Sequence, residues 1–539
     1  MKRPAFLAGS AAALAAACAP AREVDTSRIG VALAGDPPTL NLLLGDDANV
    51  FDVGFLINSF LLRSDASGRL IPDLALEVPT LANGGISPDG RTLRYRLRTD
   101  ARWHDGKPVT ADDVVFSLRL PMRSDIDVAD RSGYREIADA RALSPHVVEV
   151  RLARAYAPAV QTLLATSANQ PYPVLPRHLL GAARDVQHAD FGSAPIGCGP
   201  YRLAAWQRGE GVRLERYDRY FRGTPPTRRI DCVVVPSNDA LVAAWQDGAI
   251  DLAGLTGERD LADRLRARAD ADVRIYPRNT FAYLLFQHDR PALADPRVRR
   301  ALVAAIDRRA TMRKTFGPFF VDVVGDRLPG TVGFVPALPQ QSYDPAQARR
   351  LLDDAGWTQR DDGRVRDGVP LELTLAADTS TFSQRLAVQV QEALGRCSVR
   401  ATIRTYAGSV LNAPASQRGI LRAGEFDLFI GSWNPGGVDD TSYLYRCDER
   451  PPNGENFGRI CDPAVDRAAA TVLGANDPVV RARDLARMQH ALVERTHLAY
   501  LGFIAGGIVT RRGLLGVEPS RIVRSYWNCW EWRWDGTSR

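Results

Sequence analysis

Histidine, cysteine and methionine are scarce in this chain, with seven, seven and four copies among 539 residues. The histidines form no H-E-x-x-H pair and the cysteines no C-x-x-C spacing, so the usual zinc sites are not expected. A G-x-S-x-G elbow and a P-loop are also missing, which removes the commonest signatures of acyl and phosphoryl transfer. No block of five or six like charges occurs. The formal charge of +6 is therefore expected to be a mixed, solvated surface rather than a nucleic-acid arm. Past the N-terminus no run reaches 18 consecutive apolar residues, the length a membrane-spanning helix requires. What is present is 45% hydrophobic and 24% charged residues, enough for a large core. The length suggests several domains.

The N-terminus carries an address. Met1-Lys2-Arg3 is a short basic region, Pro4 to Ala17 is small and apolar, and Leu14-Ala15-Ala16-Ala17-Cys18 closes the run. Small residues ahead of a cysteine resemble a lipobox. The expectation is a signal over 1–17 and a lipid on Cys18, tethering an exported body to a membrane. Six cysteines remain, Cys198, Cys232, Cys397, Cys447, Cys461 and Cys529, and they allow about 15 connectivities. Cys447 and Cys461 are nearest in sequence and flank the Pro-, Gly- and Asn-rich stretch 450–458. Cys198 and Cys232 adjoin strand-like segments and could be neighbours, which leaves Cys397 with Cys529.

Strand-like and helix-like segments alternate along the rest, the pattern of an α/β fold. Ile29–Ala34, Leu93–Leu97, Val147–Leu152, Ile230–Val235, Tyr283–Phe286 and Leu371–Ala376 read as strands. Val50–Leu62, Ser383–Leu394 and Val479 to Thr496 read as helices. Thr110 is placed to cap a helix whose first turn carries Asp112 and Asp113.

Two long motifs are specific. One is Ser87-Pro88-Asp89-Gly90-Arg91-Thr92-Leu93-Arg94-Tyr95-Arg96-Leu97-Arg98. The other runs Trp103-His104-Asp105-Gly106-Lys107-Pro108-Val109-Thr110-Ala111-Asp112-Asp113-Val114. Ile196-Gly197-Cys198-Gly199-Pro200-Tyr201, Asp295-Pro296-Arg297-Val298 and Tyr526-Trp527-Asn528-Cys529-Trp530 extend the pattern. Together they resemble the family 5 extracellular solute-binding proteins, the dipeptide-, oligopeptide- and nickel-binding components of ABC importers. The resemblance implies a two-lobed, type II periplasmic-binding-protein-like α/β fold with a subdomain inserted in the first lobe. The first lobe would comprise 18–62, 186–280 and 501–539, the inserted subdomain 63–185, and the second lobe 281–500. It further implies a monomer that closes by hinge motion on a small ligand, most simply a short peptide. Its partners would be permease subunits, and neither a cofactor nor nucleic acid is implied. Other solutes (a nickel chelate, an opine, an oligosaccharide or an antibiotic-like amide) and a sensing role share this scaffold. An exported hydrolase is the enzyme alternative.

In many peptide-binding members of the family that the chain resembles, a tryptophan is followed, three residues on, by an aspartate that holds the peptide amine. Here Trp433 is followed by Gly436, and Asp439 and Asp440 come later. Asp439 stands where it could equally start a helix before Thr441–Leu444. Trp433 is expected to wall the cleft. The resemblance and the strand-end rule add Asp46, Asp47, Asn49, Asp378, Phe382 and Arg385 as candidate ligand contacts. His104 with Asp105 is read as a turn contact rather than an acid–base pair.

Overall fold

The computed structural model describes residues 25–45, 47–183, 185–361, 363–413, 417–452, 454–522 and 526–536. The signal segment, Cys18 and Asp46 lie outside these residues.

Two mixed sheets form the frame. The first has seven strands in the order Ala271–Tyr276, Gly506–Arg511, Leu252–Gly254, Arg28–Leu33, Arg229–Val234, Gly211–Arg216 and Tyr201–Gln207. Its central strand Arg28–Leu33 runs parallel to both neighbours. Parallel strands need crossovers that cover the sheet faces, so Ile29, Val31 and Leu33 are buried. Gly30 is required there, because a Cβ would sit 2.1 Å from the Ala249 carbonyl oxygen. The second sheet has six strands, Phe320–Val321, Leu498–Ile504, Phe281–Phe286, Leu428–Trp433, Glu372–Asp378 and Arg400–Tyr406. Its last two are parallel and joined by the helix Thr381–Gly395.

The chain passes between the sheets twice. Ala271–Tyr276 leads through 277–280 into Phe281–Phe286, and Leu498–Ile504 leads through Ala505 into Gly506–Arg511. The crossings lie side by side, with the Ile504 N–H donating to the Thr280 oxygen at 2.8 Å. Two short, adjacent connections between separately built sheets are a hinge, and the fold is two-lobed. The return crossing falls at Ala505, after the boundary expected at 500, because Leu498–Ile504 stays paired with Phe281–Phe286 up to Phe503.

A third body has its own core around Tyr95, Trp103, Val114 and Leu118. It carries the three-stranded sheet Thr92–Arg96, Val147–Leu152 and Ile137–Ser144 and the helix Ala111–Arg119. At its junction with the first lobe, Arg63 and Asp73 form a fully buried ion pair, 2.9 Å from Nε to Oδ2.

Several expectations need correction. The helix read as Val50–Leu62 is Ala48–Ile57. It stops because the Gly199 N–H takes the Ile57 carbonyl at 2.8 Å, and a Cβ at either Gly197 or Gly199 would collide with Ile57. Thr110 does start Ala111–Arg119, as the N-cap of a capping box in which the Asp113 carboxylate receives the Thr110 N–H at 2.8 Å and also the Arg177 N–H at 2.9 Å. Cys447 and Cys461 are disulfide-bonded. Cys198, Cys232, Cys397 and Cys529 are buried free thiols, so neither Cys198–Cys232 nor Cys397–Cys529 is a bridge. Cys198 belongs to the inserted body's core and Cys232 to that of the first sheet, so strand adjacency in sequence did not bring them together.

His104 joins the inserted body to the first lobe. Its Nδ1 accepts the Gly197 N–H at 3.2 Å, and its Nε2 lies 3.1 Å from the Gly199 oxygen, which suits a neutral imidazole. Burial pushes its pKa down to about 4 from the ordinary 6.5. A lowered folded value means the unfolded chain binds the proton more readily. This contribution is complete above about pH 6.5 and is lost as pH falls towards 4. Melting temperature measured over that window should drop less for His104→Gln than for the wild type.

Candidate functional site

A cavity of about 840 Å³ lies where the three bodies face one another. The first lobe contributes Phe51 and Phe55, the inserted body Asp130, the hinge Arg278, and the second lobe Trp433 and Glu455. Its volume falls within the range of roughly 300–1,000 Å³ usual for small-ligand sites. Two further cavities share its walls. One, about 460 Å³, continues past Asn412, Trp433 and Phe457 to the strand ends at Asp378 and Ser432. The other, about 210 Å³, opens behind Asp130, Arg422 and Glu455.

Trp433 is the last residue of Leu428–Trp433, so the strand end aims it at the cleft. Its indole N–H donates to the Tyr443 hydroxyl at 2.9 Å, which orients the ring as a fixed wall. Gly436 has φ +68, and a Cβ there would lie 2.6 Å from the Ser167 oxygen. Its carbonyl accepts from Asn279 Nδ2 at 2.7 Å, and the next residue, Gly437, donates its N–H to the same Ser167 oxygen at 2.7 Å. The turn is thus a backbone contact between lobes with no room for a side chain.

Asp439 is committed to protein groups. Its carboxylate accepts from Gln161 Nε2 at 3.1 Å and pairs with Arg481 at 3.0 Å, while its carbonyl accepts from Arg327. Asp440, rather than Asp439, receives the Ser442 N–H at 2.8 Å where the 3-10 turn Ser442–Leu444 begins. Asp47 caps Ala48–Ile57, receiving the Asn49 N–H at 2.7 Å, and Asn49 lines a cavity of about 440 Å³ on the first lobe that meets the main one at Arg278. Asp378 caps the crossover turn through the Ser380 N–H and the Ser383 hydroxyl. Phe382 packs on Phe316 with centroids 5.5 Å apart, and Arg385 faces Asp260 at 3.9 Å. The structure therefore brings Trp433 and Gly436 to the main cavity, Asp378 to its extension and Asp440 to its annex. Phe382, Arg385 and Asp439 are not among the residues lining them.

Sequence reasoning missed Asp130, Arg278, Arg422 and Glu455. Glu455 is hemmed in by protein except towards the cavity. Burial, and then the nearby Asp130, push its pKa up to about 8, against the opposing pull of Arg422. The only available signal was the position of Glu455 between Cys447 and Cys461. That disulfide closes the loop that carries Pro452, Glu455 and Phe457 to the cavity wall. Replacing both cysteines by serine should cost about 3 kcal/mol of stability, by the closure entropy of a loop of this size. Ligand affinity should fall several-fold with it, as read by melting and by titration.

Two separately built sheets, a paired hinge and a walled cleft between the lobes define a solute-binding protein of the hinged, two-lobed class. The chain belongs to the bacterial extracellular solute-binding proteins, family 5, whose middle-region model matches residues 69–454. It is 26% identical over 385 residues to the oligopeptide-binding protein AppA of Bacillus subtilis, covering 68% of this chain and 66% of that protein. Among solved structures it is similar to NikZ from Campylobacter jejuni in complex with Ni(L-His). That likeness has a TM-score of 0.80 and 22% identity, and covers 95% of this chain and 100% of that one. The AppA structure from Bacillus subtilis in complex with a nonapeptide aligns with a TM-score of 0.76 and 20% identity, over 94% and 98% of the two chains.

Proposed function

We propose that this protein is the extracytoplasmic substrate-binding component of an ABC importer and that it captures a short peptide between its lobes. The observation that carries this reading is a cleft with flat aromatic walls and charges of both signs, Arg278 and Arg422 against Asp130 and Glu455. A zwitterionic chain with apolar side chains matches that lining. The relatives point the same way, since one is an oligopeptide-binding protein and a structural neighbour holds a nonapeptide. In this reading the chain is exported, lipidated at Cys18, monomeric, and engages permease subunits with its closed lobes. It binds its ligand without turning it over.

A metal chelate is the second reading, favoured by the two arginines in the cleft, which suit an anionic complex. Among the described residues the only cluster of potential metal ligands is Cys447, Cys461 and Asp466, and its cysteines are bridged. A metal would therefore have to arrive with its own ligands. A thermal-shift screen over di-, tri- and oligopeptides, sugars and nickel chelates separates the readings. A peptide at 100 times its Kd should add about 2.7 kcal/mol of apparent stability. A shift with chelates alone would replace the peptide reading, and peptide turnover by the purified protein would revive a hydrolase.

A further inference from the structure

The unusual chemistry of the cleft is concentrated at the wall shared by the main cavity and its annex. Asp130 reaches it from the inserted body, and Glu455 and Arg422 from the second lobe. Among the described residues no donor hydrogen-bonds the Glu455 carboxylate, while its backbone oxygen accepts the Phe457 N–H at 2.7 Å. The Asp130 carboxylate receives the Ser132 N–H at 2.7 Å and pairs with no cation. Arg422 spends hydrogen bonds on the Gly454 oxygen at 3.4 Å and stacks 5.5 Å from the Phe457 ring centre. The adjacent Glu449 is already matched by Arg446 at 2.7 Å. Half-buried Tyr443 and buried Tyr283 also lie near Glu455, and burial raises the pKa of both phenols. At the wall the two cavities share, two carboxylates thus face one guanidinium, while the annex behind adds Arg131 and Arg135 against Asp440 besides the pairs Arg154–Glu136 and Arg446–Glu449. Among the described residues the half-buried Glu455 carboxylate itself makes no ion pair. Such a charge is costly unless it is paired or neutralised.

We propose that Glu455 and Asp130 form a seat for a positively charged group of the ligand, contributed jointly by both sides of the cleft. This rests on the reading of the protein as a peptide-binding component and narrows it to ligands that bring a cation to this wall. The seat stands in for a carboxylate at 436, where the backbone of Ser167 leaves no room for a side chain. Because the two carboxylates come from opposite sides of the cleft, one ammonium or guanidinium group bound by both would also hold it shut. Charge-assisted hydrogen bonds are strong in a site from which water is excluded. The raised pKa of Glu455, about 8, means the empty site holds a proton at neutral pH. Docking of a cation ionises Glu455 and releases up to one proton.

The sign for the empty protein follows. A carboxyl whose folded pKa is raised from 4.5 to about 8 leaves stability intact below pH 4.5, erodes it as pH rises to 8 and lowers it no further above that. Glu455→Gln should flatten that decline, and its melting temperature at pH 9 should be at least that of the wild type, which also verifies folding.

The test uses the peptide Ala-Lys-Ala, the same peptide acetylated on the lysine side chain and on both amines, and agmatine, each titrated calorimetrically at pH 7 in two buffers of different ionisation enthalpy. The cation-bearing probes should bind with proton release. Their affinity should fall tenfold or more, and the proton release vanish, in Glu455→Gln. Asp130→Asn should weaken the same probes, and the fully acetylated peptide should be indifferent to both changes. Peptides that bind equally with and without their cations, or an unchanged affinity in Glu455→Gln, overturn the seat and leave the peptide reading standing. Binding of agmatine alone, lost in Glu455→Gln, upholds the seat and removes the peptide reading. Failure of every probe to bind overturns both.

Discussion

Asp73→Ala should lower the stability of the protein by about 3–5 kcal/mol, the usual cost of stripping one partner from a buried ion pair. Arg63 and Asp73 both have 0% of their side-chain surface exposed. The carboxylate accepts from Arg63 Nε and from the Phe60 N–H, each at 2.9 Å, and its other oxygen faces Arg222 at 3.2 Å. The guanidinium donates to the Asn58 oxygen at 2.8 Å and lies over the rings of Phe60 and Trp530, 5.3 and 5.4 Å from their centres. One pair thus ties the first segment, the inserted body and the C-terminal segment together. Alanine would leave Arg63 charged, dry and unmatched, with Arg222 losing its partner as well. Chemical denaturation read by tryptophan fluorescence measures the loss. A paired replacement by apolar residues, Arg63→Met with Asp73→Leu, should recover much of it, because the desolvation of both charges then disappears. A loss under about 1 kcal/mol for Asp73→Ala would mean that water reaches the pair.

Gly436→Asp, which reinstates the aspartate of peptide-binding relatives, should weaken ligand binding by tenfold or more instead of strengthening it. The backbone at 436 is left-handed, φ +68, where a side chain is strained. The larger obstacle is space, since the new Cβ would meet the Ser167 oxygen at 2.6 Å and the Ala168 oxygen at 3.0 Å. Both are backbone atoms and cannot rotate away. Relief would require the turn to retreat from 167–168 and break the bonds made by Asn279 Nδ2 and the Gly437 N–H, which join the lobes at the cleft. A tenfold loss corresponds to about 1.4 kcal/mol, within the usual cost of strain at such a site. Titration with a ligand identified by the thermal screen checks the expectation, and tighter binding by Gly436→Asp would show that the turn yields.

The hinged architecture came only with the family resemblance carried by the long motif around Trp103, while the alternation of apolar stretches and the helix-capping residues made the α/β class readable directly. They are local properties. Asp295, Asp344, Asp462 and Asp477 each precede a proline at the first helical position and accept a first-turn N–H, as the residue types alone require. Trp433 could be proposed as a cleft wall from the tryptophan of the family motif, and in the structure it ends the strand Leu428–Trp433. Glu455 could not. Its raised pKa arises from the closing of protein around it and then from Asp130, more than 300 positions away. Arg385 and Asp439 likewise depend on distant segments, since Asp260 and Arg481 face or occupy their charges.

By itself, then, the sequence determined the alternation of strand-like and helix-like segments and that Cys447 and Cys461 lie nearest in the chain, with the pairing left open. These depend on side-chain periodicity, caps and short loops, which act over a few residues. Only the tertiary structure decided that the other four described cysteines stay apart, that Gly436 is a point of contact between lobes, and which charges are left facing the cleft. Burial and pairing are sums over atoms brought together from remote parts of the chain, and no local pattern carries them.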